Sequence, residues 1–288
     1  MFKGLSSVNG DITDKISIDD RGLAFGDGLF ETILVDYQDQ SPHIYFLQRH
    51  LARLQQGCFT LGFALDFTEL ENDIYHLFAA LNQSKNVPKQ LRLKIIISRG
   101  SSTSGYRVPN GTVANRILLL SPLAVSTDMM AKEGVKLRSC QWALASQPQL
   151  AGLKHLNRLD QVMARREWSD PDIFEGILSD NQGHLIEGTF TNLFVVDEKG
   201  IRTPDLSACG VKGIMRQLVI EKLAKTVNVP VRETAFSTIM DAEELFITNS
   251  LIGVIPVIAF DQKLFSIGKI TKRLQIALQN LRELRHEI

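Results

Sequence analysis

The sequence predicts an α+β protein. Three observations carry that reading. β-Rich apolar runs come in clusters joined by polar turn signals. Leucine and isoleucine recur at helical spacing in several separate stretches. Strands and helices do not alternate in the strict βαβ order that a parallel sheet requires.

In chain order, Phe30 to Val35 is β-rich, and Ile44 to Phe46 is placed to pair with it across a turn at Asp36 to Ser41. Gln48 to Gly57 reads as a helix, with Leu47, Leu51 and Leu54 on one side. A second helix is expected over Phe67 to Leu81. Leu91 to Ser98 and Arg116 to Leu120 are expected strands. A soft domain boundary falls near residues 121 to 125. Val135 to Leu144 is a further expected strand. Leu153, Leu156, Leu159 and Val162 then recur every three residues and argue for helix after Lys154. Asp-Asn-Gln-Gly between Gly176–Ser179 and His184–Ile186 signals a hairpin, as does Asp-Glu-Lys-Gly between Thr191–Val196 and Ile201–Thr203. Gly213 to Lys225 and Lys269 to Arg285 are expected helices, and Leu245 to Thr248 a strand.

Composition narrows the function classes. The chain has 288 residues, enough for two domains or one domain with two lobes. Formal net charge is zero, so no basic footprint for nucleic acid is present. Cys58, Cys140 and Cys209 are scattered, odd in number and without a CxxC pair, which argues for a reducing cytoplasm over a disulfide framework. The opening residues lack the apolar stretch of a signal peptide. Leu245 to Phe260, the most apolar segment, is broken by Thr248, Asn249, Ser250 and Pro256 and reads as buried strand and loop rather than a membrane span. No GxGxxG fingerprint, Walker A loop or GxSxG elbow occurs. His43, His76, His184 and His286 have no metal-ligand spacing, so no metal is expected.

Several residues are candidates for chemistry, each with a plainer alternative. Lys154 stands among apolar neighbours, where burial favours a reactive amine; a lysine snorkelling from a helix start has the same pattern. Glu187 follows a β run and precedes small polar residues. It suits the nitrogen of a bound pyridine ring, or is a solvated hairpin charge. Gly213, ahead of Ile214, lets backbone approach an anion, or makes a simple turn. Asn249 and Ser250 follow an apolar strand as phosphate donors or turn formers. Arg53 lies one helical turn from His50 and suits phosphate, or is a surface charge.

Taken together and in this order, the segments resemble the class IV aminotransferases. Asp20 to Thr32, with Phe-Gly-Asp-Gly-Leu-Phe-Glu-Thr, resembles the opening signature. His50-Leu-Ala-Arg53-Leu resembles the phosphate-binding arginine motif. Lys154 stands at the cofactor lysine, Glu187 in Glu-Gly-x-x-x-Asn-Leu-Phe at the pyridine-nitrogen carboxylate, and Gly213-Ile214 and Asn249-Ser250 at the phosphate cup. The matches run from about residue 18 to residue 257.

The resemblance implies a two-lobed, D-amino-acid aminotransferase-like fold of type IV. Residues 1–121 would form the smaller N-terminal α+β domain and 122–288 a larger, barrel-like α+β domain, with the cofactor between them. It implies pyridoxal 5'-phosphate as cofactor, Lys154 as catalytic residue, a small-molecule substrate and a homodimer whose loops close the partner's site. Nucleic acid and membrane are not expected partners. Ala151 to Gln161 and Val211 to Gln217 most resemble the 4-amino-4-deoxychorismate lyases. That branch implies conversion of 4-amino-4-deoxychorismate to 4-aminobenzoate and pyruvate in folate biosynthesis; transamination of D- or branched-chain amino acids is the alternative. Ser98 to Pro109 lacks the histidine expected of the D-amino-acid branch. It departs from the lyases too, with Ser104 at an arginine position and arginine at Arg107. The resemblance places Phe30, Arg99, Tyr106 and Arg107 near the substrate.

Overall fold

The computed structural model describes residues 2–123, 127–223 and 229–283. The chain divides into two units. One holds residues 2–123 with Lys154–Asn157; the other holds residues 127–153 and 158–283.

The first unit is a six-stranded sheet with two long helices on one face. Its elements are β1 (Leu5–Val8), β2 (Asp11–Ile12), α1 (Arg21–Phe25), β3 (Gly28–Gln38), β4 (Ser41–Ile44), α2 (Leu47–Leu61), α3 (Phe67–Leu81), β5 (Gln90–Ser98) and β6 (Asn115–Pro122). The strand order is β2-β1-β6-β5-β3-β4, every neighbouring pair antiparallel. The expected pairing of Phe30–Val35 with residues around Ile44 is present, with Val35 opposite Ile44. Asp66 starts α3 by accepting from the Thr68 and Glu69 amides at 2.8 and 3.2 Å. Leu51 and Leu54 of α2 and Leu70, Leu77 and Leu81 of α3 are buried against Ile33, Leu93, Ile95 and Leu118. Each such side chain contributes about 1.5–3 kcal/mol on burial. Because strand side chains alternate, Phe30, Thr32 and Lys94 lie on the sheet's other face.

The helix expected directly after Lys154 is not there. Lys154 and its neighbours are extended: the Phe30 amide donates to the Lys154 carbonyl and the Leu156 amide to the Gly28 carbonyl, both at 2.9 Å. A bridge between Leu29 and His155 completes the pairing with β3. Backbone groups that bond a strand are not free for an i→i−4 ladder. Helix begins only at Leu159, which is 70% exposed, with Val162 53% exposed. The apolar spacing there faces no core.

The second unit contains α4 (Thr127–Glu133), β7 (Val135–Leu144), α5 (Leu159–Arg165), β8 (Ile173–Asp180), β9 (Leu185–Gly188), β10 (Asn192–Asp197), β11 (Gly200–Pro204), α6 (Ile214–Leu218), β12 (Val231–Arg232), α7 (Ser237–Asp241), β13 (Glu244–Asn249), β14 (Gly253–Phe260), β15 (Lys263–Leu264) and α8 (Lys269–Glu283). Among the described residues the sheet runs β12-β11-β10-β13-β14-β7-β8-β9, with β15 on β14. Both expected hairpins form, β8–β9 and β10–β11. The apolar segment to Phe260 is the hairpin β13–β14. Phe194 and Phe246 face each other across β10 and β13 and stack at 4.7 Å. The helix expected over 213–225 is shorter: α6 gives way to a π-helical turn at Val219–Leu223, and residues 224–225 lie outside the described residues. So do 284–285 of the last expected helix. Among the described residues, no helix is long and apolar enough to cross a membrane.

Candidate active site

Alternation along β3 sends Glu31 towards α2 and Phe30 to the opposite face. Glu31 is 1% exposed. The Arg53 Nε donates to its Oε1 at 2.8 Å and Nη2 to its Oε2, where the His50 Nδ1 also stands at 2.6 Å. The one-turn spacing of His50 and Arg53 thus converges on one carboxylate. Burial by itself would raise Glu31, but the Arg53 guanidinium and the His50 imidazole outweigh it and hold the carboxyl at about 2. His50 is fully buried, and burial lowers it despite the pull of Glu31. Its Nδ1 edge faces Glu31. Its Nε2 is buried and has no hydrogen-bond partner. Arg53, read from sequence as a phosphate ligand, is oriented here by Glu31, which sequence reading passed over.

Lys154 is half-buried, and its Nζ lies 4.4 Å from the centre of the Phe30 ring. A second lysine, Lys94 of β5, places its Nζ 5.2 Å from the same ring. Nothing in the sequence pattern pointed to Lys94.

The loop after β5 carries three of the expected substrate residues. Arg99 is committed to structure: Nε donates to Asp27, Nη1 to the Gly62 carbonyl and Nη2 to the Leu61 carbonyl, at 2.8, 3.0 and 2.7 Å. Its guanidinium also lies over Phe63. The expectation that Arg99 meets a substrate carboxylate therefore competes with these bonds. Tyr106 and Arg107 are exposed, Tyr106 packing against Phe25 at 5.3 Å. Arg21, buried, donates to Asp27 at 2.9 Å and to the carbonyls of Gly105, Tyr106 and Arg107 at 2.5, 3.3 and 3.4 Å. Asp20 accepts from Ser98 and Asn115 and caps α1 at the Leu23 amide. The signature segment thus frames this loop.

In the second unit, Glu187 on β9 is 4% exposed, not the solvated hairpin charge of the alternative reading. Its Oε2 accepts from the Val211 amide at 2.8 Å and from Asn192 Nδ2 at 3.3 Å. Asn192 in turn donates to the Val211 carbonyl at 2.9 Å. Glu175, on β8 and wholly buried, accepts from Thr189 Oγ1, the Phe190 amide and Thr191 Oγ1 at 2.7, 3.1 and 3.0 Å. It shapes the turn between Glu187 and Asn192. Burial raises Glu175 while those bonds oppose the rise.

Gly213 precedes α6 and no side chain caps it. A Cβ there would stand 2.0 Å from Asn192 Oδ1, so only glycine fits. Ile214 is buried. Asn249 is occupied in a turn, its Oδ1 accepting from the Leu251 and Ile252 amides at 2.9 Å each. Ser250 follows it, half-buried. Thr248, one residue earlier, is fully buried with an Oγ1 that has no hydrogen-bond partner. Among the described residues no group of His, Cys, Asp and Glu could hold a metal ion; His286 lies outside them.

The sequence profile described as Amino-transferase class IV matches residues 28–260. The chain is 33% identical to an aminodeoxychorismate lyase of Vibrio harveyi over 275 residues, covering 93% of this chain and 97% of that protein. It is 26% identical to a D-alanine aminotransferase of Bacillus licheniformis, covering 92% and 91%. Among solved structures it superimposes on a 4-amino-4-deoxychorismate lyase of Pseudomonas aeruginosa with a TM-score of 0.86 at 39% identity, covering 96% and 98%. A branched-chain aminotransferase of Thermoproteus uzoniensis shares the fold, with a TM-score of 0.84 at 19% identity.

Proposed function

The chain belongs to the amino-transferase class IV family, and from that premise we propose that it is a pyridoxal-phosphate-dependent lyase that converts 4-amino-4-deoxychorismate to 4-aminobenzoate and pyruvate. The observation that carries this reading is the graded likeness: over nearly the full chain, the two lyases share more of its sequence than the aminotransferases do.

The residues present fit the cofactor. A buried carboxylate held by the Val211 amide and the Asn192 side chain, Glu187, suits a pyridine nitrogen that must keep its proton. The buried Thr248 hydroxyl, whose oxygen has no hydrogen-bond partner, suits the neighbourhood of a phosphate. When bound, the cofactor supplies an electron sink for charge developing on the carbon that bears the substrate nitrogen. Lys154 would hold it covalently through Nζ. Arg53, Gly213, Ile214, Asn249 and Ser250 would hold its phosphate.

Lys154 Nζ then serves as the base that takes the proton from the carbon bearing the nitrogen. The bond from the neighbouring ring carbon to the enol ether oxygen breaks, the ring becomes aromatic, and the three-carbon fragment gains a proton at its methylene to leave as pyruvate. No amino acceptor is consumed. Pyruvate release from the substrate without any added keto acid tests the reading. A requirement for a keto acid would turn it to transamination. Glu187→Gln, which keeps the shape but loses the charge, is expected to lower kcat by roughly 10²-fold or more. Near-wild-type kcat in this variant would remove the carboxylate from the mechanism.

The same reading includes a homodimer, to be checked by sedimentation, and a cytoplasmic setting. Three free cysteines support a reducing compartment. Burial holds their thiols at about 11, 12 and 11 for Cys58, Cys140 and Cys209, so they stay protonated and poorly reactive.

A further inference from the structure

We propose that Glu175 is a positioning residue for the cofactor: it fixes the turn at residues 188–191, and that turn sets Glu187 at one end of the cofactor site and Asn249 at the other. The inference rests on the cofactor of the lyase reading and deepens it. Both oxygens of Glu175 are engaged. Oε1 accepts from the Gly176 amide and Thr189 Oγ1 at 2.9 and 2.7 Å, and Oε2 from the Phe190 amide and Thr191 Oγ1 at 3.1 and 3.0 Å. The turn closes on itself where the Gly188 amide donates to the Thr191 carbonyl at 2.8 Å. A Cβ at Gly188 would stand 2.7 Å from Glu175 Oε2, so the chain passes this carboxylate only with glycine directly after Glu187. Glu187 leads into the turn, and Asn192, which donates to Glu187, leads out of it. The Phe190 carbonyl, in the middle, accepts from Asn249 Nδ2 at 3.4 Å. One buried side chain therefore governs the spacing between the carboxylate proposed for the pyridine nitrogen and the amide proposed for the phosphate.

The place calls for a carboxylate. Glu175 is wholly buried, and no ion pair reaches it among the described residues. Burial raises its carboxyl, and the four donors oppose the rise. Each oxygen faces one backbone N–H and one threonine hydroxyl. A carboxylate meets all four, because it accepts on both atoms and donates from neither. A glutamine amide would turn its NH2 against the Gly176 or the Phe190 amide, whichever way it flipped, and two donors would then face each other. Glu244, in the same unit, is a structural counterpart. It is buried and accepts from the Ile270 amide, the Thr271 amide and Thr271 Oγ1 at 3.1, 2.9 and 2.7 Å. It stands at the opposite end of β13 from Asn249, so it holds α8 and not the turn.

The test compares the wild type with Glu175→Gln, Glu244→Gln, Thr191→Val and Thr191→Ser. Each full-length protein is stripped of cofactor and titrated with pyridoxal phosphate. Its melting temperature and its amide hydrogen exchange over residues 188–192 are measured before the titration. Glu175→Gln is expected to speed that exchange and to raise the dissociation constant by roughly 10- to 100-fold, the scale of one buried donor left unpaired. Glu244→Gln should lower the melting temperature comparably and leave the dissociation constant unchanged. Thr191→Val removes one donor and keeps the shape, so it should raise the constant by roughly 2- to 10-fold, and Thr191→Ser should restore it. A merely structural acid would move the melting temperature alone. Wild-type cofactor binding in Glu175→Gln, or an equal loss of binding in Glu244→Gln, overturns the proposal. If Glu175→Gln does not fold, wild-type binding in Thr191→Val overturns it instead. Pyruvate release is read separately. A wild type that binds pyridoxal phosphate but releases no pyruvate removes the lyase reading and leaves the role of Glu175 standing.

Discussion

Lys154→Ala is expected to lose pyruvate release by roughly 10⁴-fold or more, the scale seen when a covalent catalytic group is removed. Two roles vanish with the one amine, covalent attachment and proton transfer. Lys94, the other lysine over Phe30, is no substitute, because it sits two strand residues away from the pairing that fixes Lys154 against β3. The variant should stay folded. Lys154 is held by its backbone, through the bond from the Phe30 amide, and alanine keeps that bond. Borohydride reduction followed by peptide mapping should place a pyridoxyl group on Lys154 in the wild type and none in the variant. Full activity in Lys154→Ala would overturn the proposed chemistry at its root.

Glu31→Gln is expected to carry the largest stability cost. It leaves the Arg53 guanidinium and a fully buried His50 facing an amide in place of a carboxylate. Breaking a buried ion pair costs about 3–5 kcal/mol. The melting temperature should therefore fall by on the order of 10 °C at pH 7. Acid should narrow the gap. The Glu31 carboxyl is held at about 2 in the folded chain, against an ordinary 4.5. Its contribution, about 3 kcal/mol, is fully present above about pH 4.5 and is lost as the pH falls towards 2. Thermal melts of both proteins at pH 7 and pH 3 check this. Equal melting at pH 7 would show that the Glu31 cluster contributes nothing net.

The sequence made the framework legible wherever local pattern and tertiary environment agree. The α2 and α3 stretches have one apolar side each, and both hairpins carry their turn residues. Lys154, Glu187 and Gly213 stand out as candidates through order and neighbours rather than through any one motif. What failed depended on partners distant in sequence. The leucines around Lys154 kept helical spacing, but β3 claimed the backbone. Arg99 showed its charge but not the Asp27 and α2 carbonyls that occupy it. Glu175 gave no signal, because its donors lie in a turn more than ten residues on. Lys94 looked like any outward strand lysine until its neighbour across the sheet was known.

Arg21 takes hold of residues 105–107 by their carbonyl oxygens alone. Every amino acid has that group, so the grip is blind to which side chains follow. The order of this segment is established when the chain folds, not when a ligand arrives, which spares binding an entropic cost of about 1–2 kcal/mol per residue. Ser104, Tyr106 and Arg107 therefore stand as interchangeable letters on a fixed line. A library varied at these three positions is expected to keep the backbone of the segment, whereas a change at Arg21 would release it in every member at once.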